Sequence, residues 1–366
     1  MKVALVCDWL TNVGGAEKVL LEFHRMYPKA PIYTSKYSPK GITWFCDADV
    51  RTGWLQIFPT MLRRVLGPLR MRWFSRLDLS EYDLVISVTG AEAKAVRATK
   101  PGAKHICYCH VPTQYYWQMY DEYVRDPGFG VLNPLVRVCF KALVRGQRKK
   151  DFAAAQGPDE IVTISEYARE LVAKYYKREA TVIHPPVEVE AFRKSLVENF
   201  GNYYITTSRQ VNWKRIDLAV KACIKGGWEL LVVGEGPEHN SLVKMAENAP
   251  NVRFLPLANT AELAECLAKA KGYLFPSMEP FGIAPVEALA SGCPVIAYGK
   301  GGALDYVKDG ENGVLFDKQN VKSLSDAISR FEKMKFDKGK VAKSAESFST
   351  ERFDEEIKEF VHEKTM

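Results

Sequence analysis

The chain has 366 residues, of which 47% are hydrophobic and 26% are charged. This length is enough for two domains with buried cores, and the composition disfavours a disordered chain. The opening segment MKVALVCDWL is too short an apolar run for a signal peptide. No stretch approaches the roughly 18 apolar residues of a membrane span. We therefore expect a cytoplasmic protein.

The net charge of +7 is concentrated in the first half of the chain, where residues 1–185 carry 27 Lys and Arg against 18 Asp and Glu. Two segments without any acid account for most of this excess. Residues 60–77 contain five arginines, and residues 132–150 contain six basic residues. Basic and apolar residues at helical spacing are typical of helices on an anionic membrane surface. Amphipathic helices with solvated basic faces are the alternative, and no motif supports a nucleic-acid partner.

Apolar runs alternate with helical patterns along both halves of the chain. Strands are predicted over 3–7, 83–88, 105–109, 160–164, 203–207, 229–233, 252–255, 273–275, 294–297 and 314–316. Helices are predicted over 15–26, 91–99, 134–150, 166–176, 215–224, 238–248, 260–270, 284–291 and 321–333. The alternation predicts two doubly wound parallel α/β domains, Rossmann-like in class. We expect ligands in a central cleft that both domains face with the carboxyl ends of their strands.

The segment FPSMEPFGIAPVEALASGCP at 275–294 carries the most informative pattern. It predicts a strand, a tight loop and a helix, with Glu279 and Glu287 eight residues apart. The loop holds Phe281, Gly282 and Ile283. Its backbone N–H groups would lie at a helix N-terminus, which attracts phosphate. One glutamate for a sugar and one for a ribose, beside such a helix end, suit a nucleotide-sugar site.

Two further loops carry glycines or cations directly after a predicted strand. Gly14 and Gly15 open a helix, where paired glycines allow close approach of a ligand phosphate, although a tight turn explains them equally well. Asp8 precedes this loop. It is a candidate to contact an acceptor hydroxyl, or it has a capping or turn role. Arg209 and Lys214 follow the strand YYITT, where two cations can neutralise a diphosphate leaving group. The adjacent Arg215 can supply part of this positive charge instead.

Several weaker candidates complete the predicted site. His110 follows a strand and can accept a hydroxyl proton or bond a sugar hydroxyl, or be a packed histidine. Gly234 and Gly236 resemble a turn beside a nucleoside, and Phe254 and Leu255 can frame its base. Ser165 is first of all a helix N-cap.

Metal binding has two weak signals. The pair Cys107 and Cys109 has no second pair at metal-finger spacing, so we expect buried thiols. Asp47 and Asp49 form an Asp-x-Asp pair after an apolar run, which could hold Mg²⁺ or Mn²⁺ on a diphosphate, but we predict a surface turn there. We predict no metal and no cofactor.

The segment 275–294 resembles the Glu-x7-Glu motif of retaining glycosyltransferases of family 4, which have the GT-B fold. Four further segments carry the same resemblance in the same order: 7–20, 107–117, 208–217 and 297–307. Together they look most like bacterial mannosyltransferases that build O-antigen and capsule polysaccharides, the WbaZ-like branch. The resemblance implies a domain over 1–187 for the acceptor and a domain over 188–349 for the donor. A C-terminal helix over 350–366 would cross back to the first domain.

The resemblance also implies roles for the candidate residues. Arg209 and Lys214 would bind the donor diphosphate, with Gly15 and Ser165 nearby. Glu279 would position the transferred sugar and Glu287 the ribose. His110 would contact the sugar or the acceptor.

The implied reaction is metal-independent, stereochemically retaining transfer of a hexose to a hydroxyl. Mannose from GDP-mannose is implied first, with a lipid-linked oligosaccharide as acceptor, and such an acceptor favours membrane contact through 60–77 and 132–150. A UDP-sugar donor stays open, since the sequence does not distinguish guanine from uracil. A GT-B epimerase or phosphorylase and a non-catalytic sugar-binding protein are the other classes.

Overall fold

The computed structural model describes residues 1–60, 62, 66–125, 127, 130, 133–256 and 259–366. The chain divides into two compact units. Unit 1 comprises Met1–His184 together with Asp354–Met366, and unit 2 comprises Pro185–Phe353. Unit 2 thus begins three residues before, and ends four residues after, the donor domain expected at 188–349.

The described residues of unit 1 form a parallel sheet of seven strands in the order β3-β2-β1-β4-β5-β6-β7. The strands are β1 Val3–Cys7, β2 Ile32–Thr34, β3 Val50–Arg51, β4 Leu84–Thr89, β5 Lys104–Cys109, β6 Glu160–Thr163 and β7 Thr181–Val182. The helices are α1 Gly15–Met26, α2 Gly67–Phe74, α3 Tyr120–Arg125, α4 Asn133–Ala154 and α5 Glu166–Tyr176. β1 and β4 are buried along their whole length because helices cover both faces of a parallel sheet.

The described residues of unit 2 form a parallel sheet of six strands in the order β10-β9-β8-β11-β12-β13. The strands are β8 Tyr203–Thr207, β9 Glu229–Val233, β10 Val252–Leu255, β11 Gly272–Phe275, β12 Val295–Tyr298 and β13 Gly313–Phe316. The helices are α6 Val189–Arg193, α7 Ile216–Gly226, α8 His239–Met245, α9 Thr260–Lys269, α10 Ile283–Ala290, α11 Ala303–Tyr306, α12 Val321–Phe331, α13 Lys338–Lys343 and α14 Thr350–Thr365. α14 begins in unit 2 and ends in unit 1.

The predicted alternation of strands and helices is confirmed, with bounds that differ by a few residues. The predicted helix at 91–99 is wrong, because only a short 3-10 helix, Ala93–Ala95, forms there. Lys94 lies in that turn with its side chain buried against α4, so the segment is held by tertiary contacts rather than by helical periodicity. The prediction missed β2, β3 and β7, which are two or three residues long and carry no periodic signal.

The two basic segments differ in structure. In the segment 60–77, residues 61 and 63–65 lie outside the described residues, and α2 covers the rest in part. Arg70 of α2 is buried, so it belongs neither to the predicted membrane-contacting face nor to the solvated basic face that was the alternative. The described part of the segment 132–150 lies in α4. Within the described residues, no helix is both long enough and apolar enough to span a membrane.

Candidate active site

The strand order of unit 2 reverses direction between β8 and β11, which are neighbours in the sheet. From β8 the chain continues to β9 on one side, while β11 leads to β12 on the other. Loops that leave two such strands at their carboxyl ends diverge and open a crevice, where open α/β sheets bind ligands. The Arg209–Lys214 loop follows β8 and the Glu279 loop follows β11. The fold therefore brings these predicted residues to one edge of the sheet.

Lys214 and Glu279 form an ion pair between these two loops. The Lys214 Nζ lies 2.5 Å from Glu279 Oε2, and the two side chains are only 16% and 13% exposed. Ser277 donates a hydrogen bond of 2.9 Å to the other carboxylate oxygen, Oε1. The Lys214 ammonium also lies 4.7 Å from the ring centre of Trp213. Both charged groups are thus held in place, and Ser277 is a contributor that the sequence reasoning missed.

Arg209 and Arg215 have different surroundings. Arg209 is exposed, and among the described residues it forms no ion pair, so its guanidinium is available to an anion. Arg215 adopts a left-handed backbone conformation with φ of 53° and pairs with Asp217 at 3.1 Å. Its guanidinium also donates to Gln319, which donates in turn to the Pro276 carbonyl at 2.8 Å. Arg215 therefore braces the site more than it offers a free charge.

The N-terminus of α10 has the form predicted for a phosphate site. Gly282 is its N-cap, with φ of +98°, and no side chain caps the helix within the described residues. A Cβ at Gly282 would lie 2.8 Å from the Tyr306 hydroxyl and 2.9 Å from the Phe275 ring, so glycine is required for both conformation and space. The backbone N–H groups of Ile283 and Ala284 begin α10 without a side-chain cap in the described residues, and Pro285, which follows them, has no N–H group.

Phe281 is buried, and its ring packs against Tyr306 and Phe348 at centroid distances of 5.5 and 5.8 Å. The Tyr306 hydroxyl donates to the Phe281 carbonyl at 2.9 Å. The Phe281 side chain is therefore part of the core, and only its backbone lies along the loop. Glu287 is 8% exposed. Glu287 is therefore not a solvent-facing helix residue.

A pair of glycines after β12 supports the Glu279 loop from the other side. The Gly302 N–H donates to the Glu279 carbonyl at 2.8 Å. A Cβ at Gly301 would lie 2.5 Å from that carbonyl oxygen, and a Cβ at Gly302 would lie 2.4 Å from the Phe281 Cα. Gly301 and Gly302 leave no room for a side chain, because their backbone is in contact with the backbone of the Glu279 loop. The sequence shows this Gly-Gly pair shortly after a predicted strand, but we predicted no role for it.

The Gly234–Gly236 turn after β9 is braced by Gln210 from the loop after β8. Gln210 Nε2 donates to the Gly234 carbonyl at 2.5 Å, and its Oε1 bonds His239 Nδ1 at 2.9 Å. Gly234 has φ of +114°, and a Cβ there would lie 2.4 Å from the Ser208 carbonyl. The two loops are therefore in direct backbone contact.

Phe254 and Leu255 end β10 next to this turn. The Leu255 carbonyl accepts the Gly234 N–H at 3.0 Å, and the Leu255 side chain is 41% exposed. The Phe254 ring packs edge-on against His239 at 5.8 Å. Leu255 is therefore open to a ligand, whereas Phe254 is partly used in packing.

Asp8 lies at the corresponding reversal in unit 1, between β1 and β4. Its carboxylate accepts hydrogen bonds from the Thr89 hydroxyl, from the Gly90 N–H at 2.9 Å and from the Ala93 N–H at 2.8 Å. Asp8 is buried. These bonds favour the capping role over contact with an acceptor hydroxyl.

Gly14 is the N-cap of α1 and has an extended backbone, and Gly15 is the first helical residue. No side chain of the described residues caps this helix. Ser165 caps α5 by accepting the Ala168 N–H at 3.0 Å, as its position predicts, and it is buried. The helix starts that were predicted from these three residues are confirmed.

His110 follows β5, and its backbone N–H donates to the Thr89 carbonyl at 2.9 Å. Its Nε2 is shielded from solvent and has no hydrogen-bond partner within the described part of the chain. Burial lowers the pKa of His110 to about 4. The imidazole is therefore neutral at pH 7 and presents an unused polar atom, which suits a group that bonds a ligand.

The weaker metal signals find no support in the described residues, where no group of three or more His, Cys, Asp or Glu is arranged to hold an ion. Asp47 lies in an exposed turn, and Asp49 pairs with Arg51 at 2.8 Å. Cys107 and Cys109 are buried free thiols on β5. The predicted surface turn and buried thiols are confirmed.

Residues 187–350, which are nearly all of unit 2, match the family model of glycosyl transferases group 1. The crystal structure of HepE from Anabaena in complex with UDP and glucose superposes with a TM-score of 0.69, covering 99% of each chain at 19% identity. At that identity the likeness shows the fold alone. The fold of this chain is GT-B, and the family match supports a group 1 glycosyltransferase.

Curated relatives extend the likeness into unit 1. The alpha-1,3/1,6-mannosyltransferase ALG2 of Kluyveromyces lactis is 25% identical, over 84% of this chain and 71% of the relative. The D-inositol 3-phosphate glycosyltransferase of Mycobacterium leprae is 28% identical, over 77% of this chain and 72% of the relative. These relatives are glycosyltransferases that differ in what they act on.

Proposed function

We propose that this protein is a retaining, metal-independent hexosyltransferase that moves mannose from GDP-mannose to a hydroxyl of a lipid-linked oligosaccharide. The observation that carries the transferase proposal is the Lys214–Glu279 pair beside the uncapped N-terminus of α10. A cation, a carboxylate and free backbone N–H groups at one sheet edge are what a nucleotide diphosphate and its sugar require.

In the proposed reaction, the acceptor oxygen forms a bond to the anomeric carbon on the face from which the diphosphate leaves. The bond between that carbon and the phosphate oxygen breaks, and the leaving phosphate takes the acceptor proton. Arg209 and Lys214 stabilise the negative charge that develops on the diphosphate, together with the N–H groups of α10. Glu279 turns from Lys214 to the sugar and holds its hydroxyls.

The charges available support the proposal of metal independence. A diphosphate leaving group needs compensation by cations, whether from a divalent ion or from side chains. Arg209 is an exposed guanidinium in no ion pair within the described residues, and Lys214 has only Glu279 as a charged partner. These two cations supply the compensation in the proposed site.

Mannose is proposed because ALG2, a mannosyltransferase, aligns over most of the chain. A UDP-sugar is the second candidate donor, supported by the HepE complex with UDP and glucose. We propose that Leu255, which is exposed at the end of β10, frames the base.

The test is donor hydrolysis and thermal stabilisation with GDP-mannose, UDP-glucose, UDP-galactose, UDP-GlcNAc and GDP, each with and without EDTA. Turnover and stabilisation with GDP-mannose alone, unaffected by EDTA, is the expected result. Preference for a UDP-sugar would contradict the mannose assignment, and loss of turnover in EDTA would contradict metal independence. If no nucleotide has any effect, the transferase proposal fails.

We further propose that α4 contacts an anionic membrane surface, which is where a lipid-linked acceptor is found. Leu135, Val138 and Leu143 are 63%, 66% and 55% exposed, which is unusual for large apolar side chains on one helix. Lys141 and Arg145 are exposed among them, and the helix has no acidic residue before Asp151. Apolar insertion together with cations near the headgroups is the pattern of an interfacial helix.

Flotation with vesicles of phosphatidylcholine and of phosphatidylcholine with 30% phosphatidylglycerol tests this contact. We expect binding to the anionic vesicles only, weakening as salt rises. Leu135→Ser with Val138→Ser should reduce binding at least tenfold. Leu304→Ser is the matched control, since Leu304 is a 56% exposed leucine of unit 2. Equal binding by both variants, or none by the unmodified protein, would contradict the proposal.

A further inference from the structure

Trp213 stands directly before Lys214 in the loop that follows β8. Its ring centre lies 4.7 Å from the Lys214 Nζ, which is within the range of a cation–π interaction. Trp213 is 47% exposed, whereas the Lys214 side chain is only 16% exposed. A large, half-exposed aromatic ring is therefore in contact with a cation of the candidate site.

The backbone that carries this contact is fixed by hydrogen bonds. Asn212–Lys214 forms a short 3-10 helix, and the Lys214 N–H donates to the Val211 carbonyl at 3.0 Å. The Arg215 N–H donates to the Asn212 carbonyl at 3.1 Å, and Arg215 itself has a left-handed backbone with φ of 53°. The ring and the ammonium group are thus brought together by a hydrogen-bonded turn.

The two groups that hold the Lys214 ammonium differ in charge. Among the described residues, they are the Glu279 carboxylate, at 2.5 Å, and the Trp213 ring. The carboxylate compensates the positive charge, whereas the ring attracts the ammonium through its quadrupole and leaves the charge in place. In the proposed reaction Glu279 turns to the sugar, and the ring is then the neutral group that still holds the ammonium.

We infer that Trp213 is a positioning residue, which keeps the Lys214 ammonium in place for the donor diphosphate. This inference rests on the proposed function, because it takes the diphosphate as the anion that replaces Glu279. A lysine side chain is long and flexible, so an ammonium that is already held binds an anion with a smaller loss of conformational entropy. Direct stacking of the exposed ring on the nucleotide base is the alternative that the experiment separates.

The test is the equilibrium binding of GDP, UDP and pyrophosphate, which share the diphosphate and differ in the base. Isothermal titration calorimetry measures the nucleotides, and competition with the tighter nucleotide measures pyrophosphate. Trp213→Leu should weaken the tighter nucleotide and pyrophosphate alike, by about fivefold to tenfold, and Trp213→Phe by less than about twofold, because a phenyl ring keeps a π face. Trp54→Leu is the matched control, since Trp54 is a 48% exposed tryptophan of unit 1, and its affinities should equal those of the unmodified protein.

A double-mutant cycle connects the effect to Lys214. In the Lys214→Gln background, Trp213→Leu should change the affinity for the nucleotide by less than about twofold, because the cation that the ring holds is gone. An equal loss in both backgrounds would overturn the inference. Weaker binding of the nucleotide with unchanged binding of pyrophosphate would overturn it too, and would show that the ring stacks on the base.

The contact itself is measured without any ligand, by 19F NMR of protein labelled with 5-fluorotryptophan. The Trp213 resonance, assigned by its loss in Trp213→Phe, should shift in Lys214→Gln, whereas the Trp54 resonance should not move. A Trp213 resonance that is insensitive to Lys214→Gln would contradict the inference. Thermal melts establish that each variant is folded.

Failure of the inference differs from failure of the proposed function. Binding of nucleotide and pyrophosphate that depends on Lys214 but not on Trp213 would overturn the inference alone. Binding of neither ligand by the unmodified protein would overturn the proposed function, and the role of Trp213 with it.

Discussion

Lys214 Nζ and Glu279 Oε2 lie 2.5 Å apart and join two loops that leave neighbouring strands of unit 2. The two residues are 65 positions apart in sequence, and their contact depends on the β8–β11 pairing at the reversal of the strand order. Each charge compensates the other while no donor is bound. In the proposed function, a nucleotide diphosphate replaces the carboxylate as the partner of Lys214 and releases Glu279 for the sugar.

Glu279→Gln should lower kcat/KM for donor turnover by at least about 100-fold, since it removes a charge that acts beside the reacting carbon. The change keeps the volume and leaves the Ser277 hydrogen bond possible, so the melting temperature should change little. Glu311→Gln, on an exposed turn of unit 2, is the control. Full activity in Glu279→Gln would remove Glu279 from the proposed site.

Asp8→Ala should destabilise unit 1 by about 3 kcal/mol, because the Gly90 and Ala93 N–H groups lose their acceptor. Urea unfolding followed by circular dichroism measures this loss. Asp47→Ala, at an exposed carboxylate, should change the free energy of unfolding by less than about 0.5 kcal/mol. A stable but inactive Asp8→Ala protein would show that Asp8 contacts substrate after all.

Lys94→Met should lower the free energy of unfolding by about 3–5 kcal/mol, because it leaves Asp151 charged and buried without its cation. The Lys94 Nζ lies 2.7 Å from Asp151 Oδ1, and the same carboxylate accepts from the Thr113 hydroxyl, the Trp117 indole and the Tyr176 hydroxyl. Lys100→Met breaks an exposed pair with Asp83 and should cost about 1 kcal/mol or less. Equal losses in the two variants, measured by urea unfolding, would refute this assignment.

The stability of the protein should fall as the pH decreases from about 6.5 towards 4. Burial lowers the pKa of both His105 and His110 to about 4, whereas the unfolded chain takes up these protons near the ordinary value of 6.5. Above pH 6.5 both histidines are neutral in the folded and in the unfolded state, so they do not make the free energy of unfolding depend on pH. Between the folded pKa of about 4 and the unfolded pKa of about 6.5, the unfolded state binds more protons. Each histidine therefore lowers the free energy of unfolding by up to about 3 kcal/mol as the pH falls through this range.

Urea unfolding at pH 7.5, 6.0 and 5.0 measures this slope. His105→Gln should flatten it, because the glutamine does not titrate. An identical slope in His105→Gln and in the unmodified protein would show that other groups cause the acid sensitivity.

The fold could be predicted from the sequence where a strand or helix has its own periodic signal, as along β4, β5, β8 and α12. Elements held by tertiary contacts could not. The turn at Ala93–Ala95 has helical composition, but its path is set by Asp8 and by Lys94 bonding to α4. Similarly, Arg70 looked like part of a basic surface, because a sequence does not show that Glu92 lies opposite it.

The candidate site divides in the same way. Glu279 and Gly282 became candidates because they lie between a predicted strand and a helix start, and Lys214 because it follows a strand in a segment that carries the family resemblance. Ser277 and Gln210 were missed, since their roles depend on hydrogen bonds to other loops.

Unit 2 occupies one continuous stretch of the chain, whereas unit 1 is interrupted by it and resumes at Asp354. The two ends of unit 2 are fastened to each other, since the Val187 N–H donates to the Phe348 carbonyl at 3.0 Å. During synthesis, the sequence of unit 2 is therefore complete before unit 1 receives its last segment, in which Lys364 pairs with Glu160 at 3.7 Å. The unit that emerges first from the ribosome is thus the one that matures last.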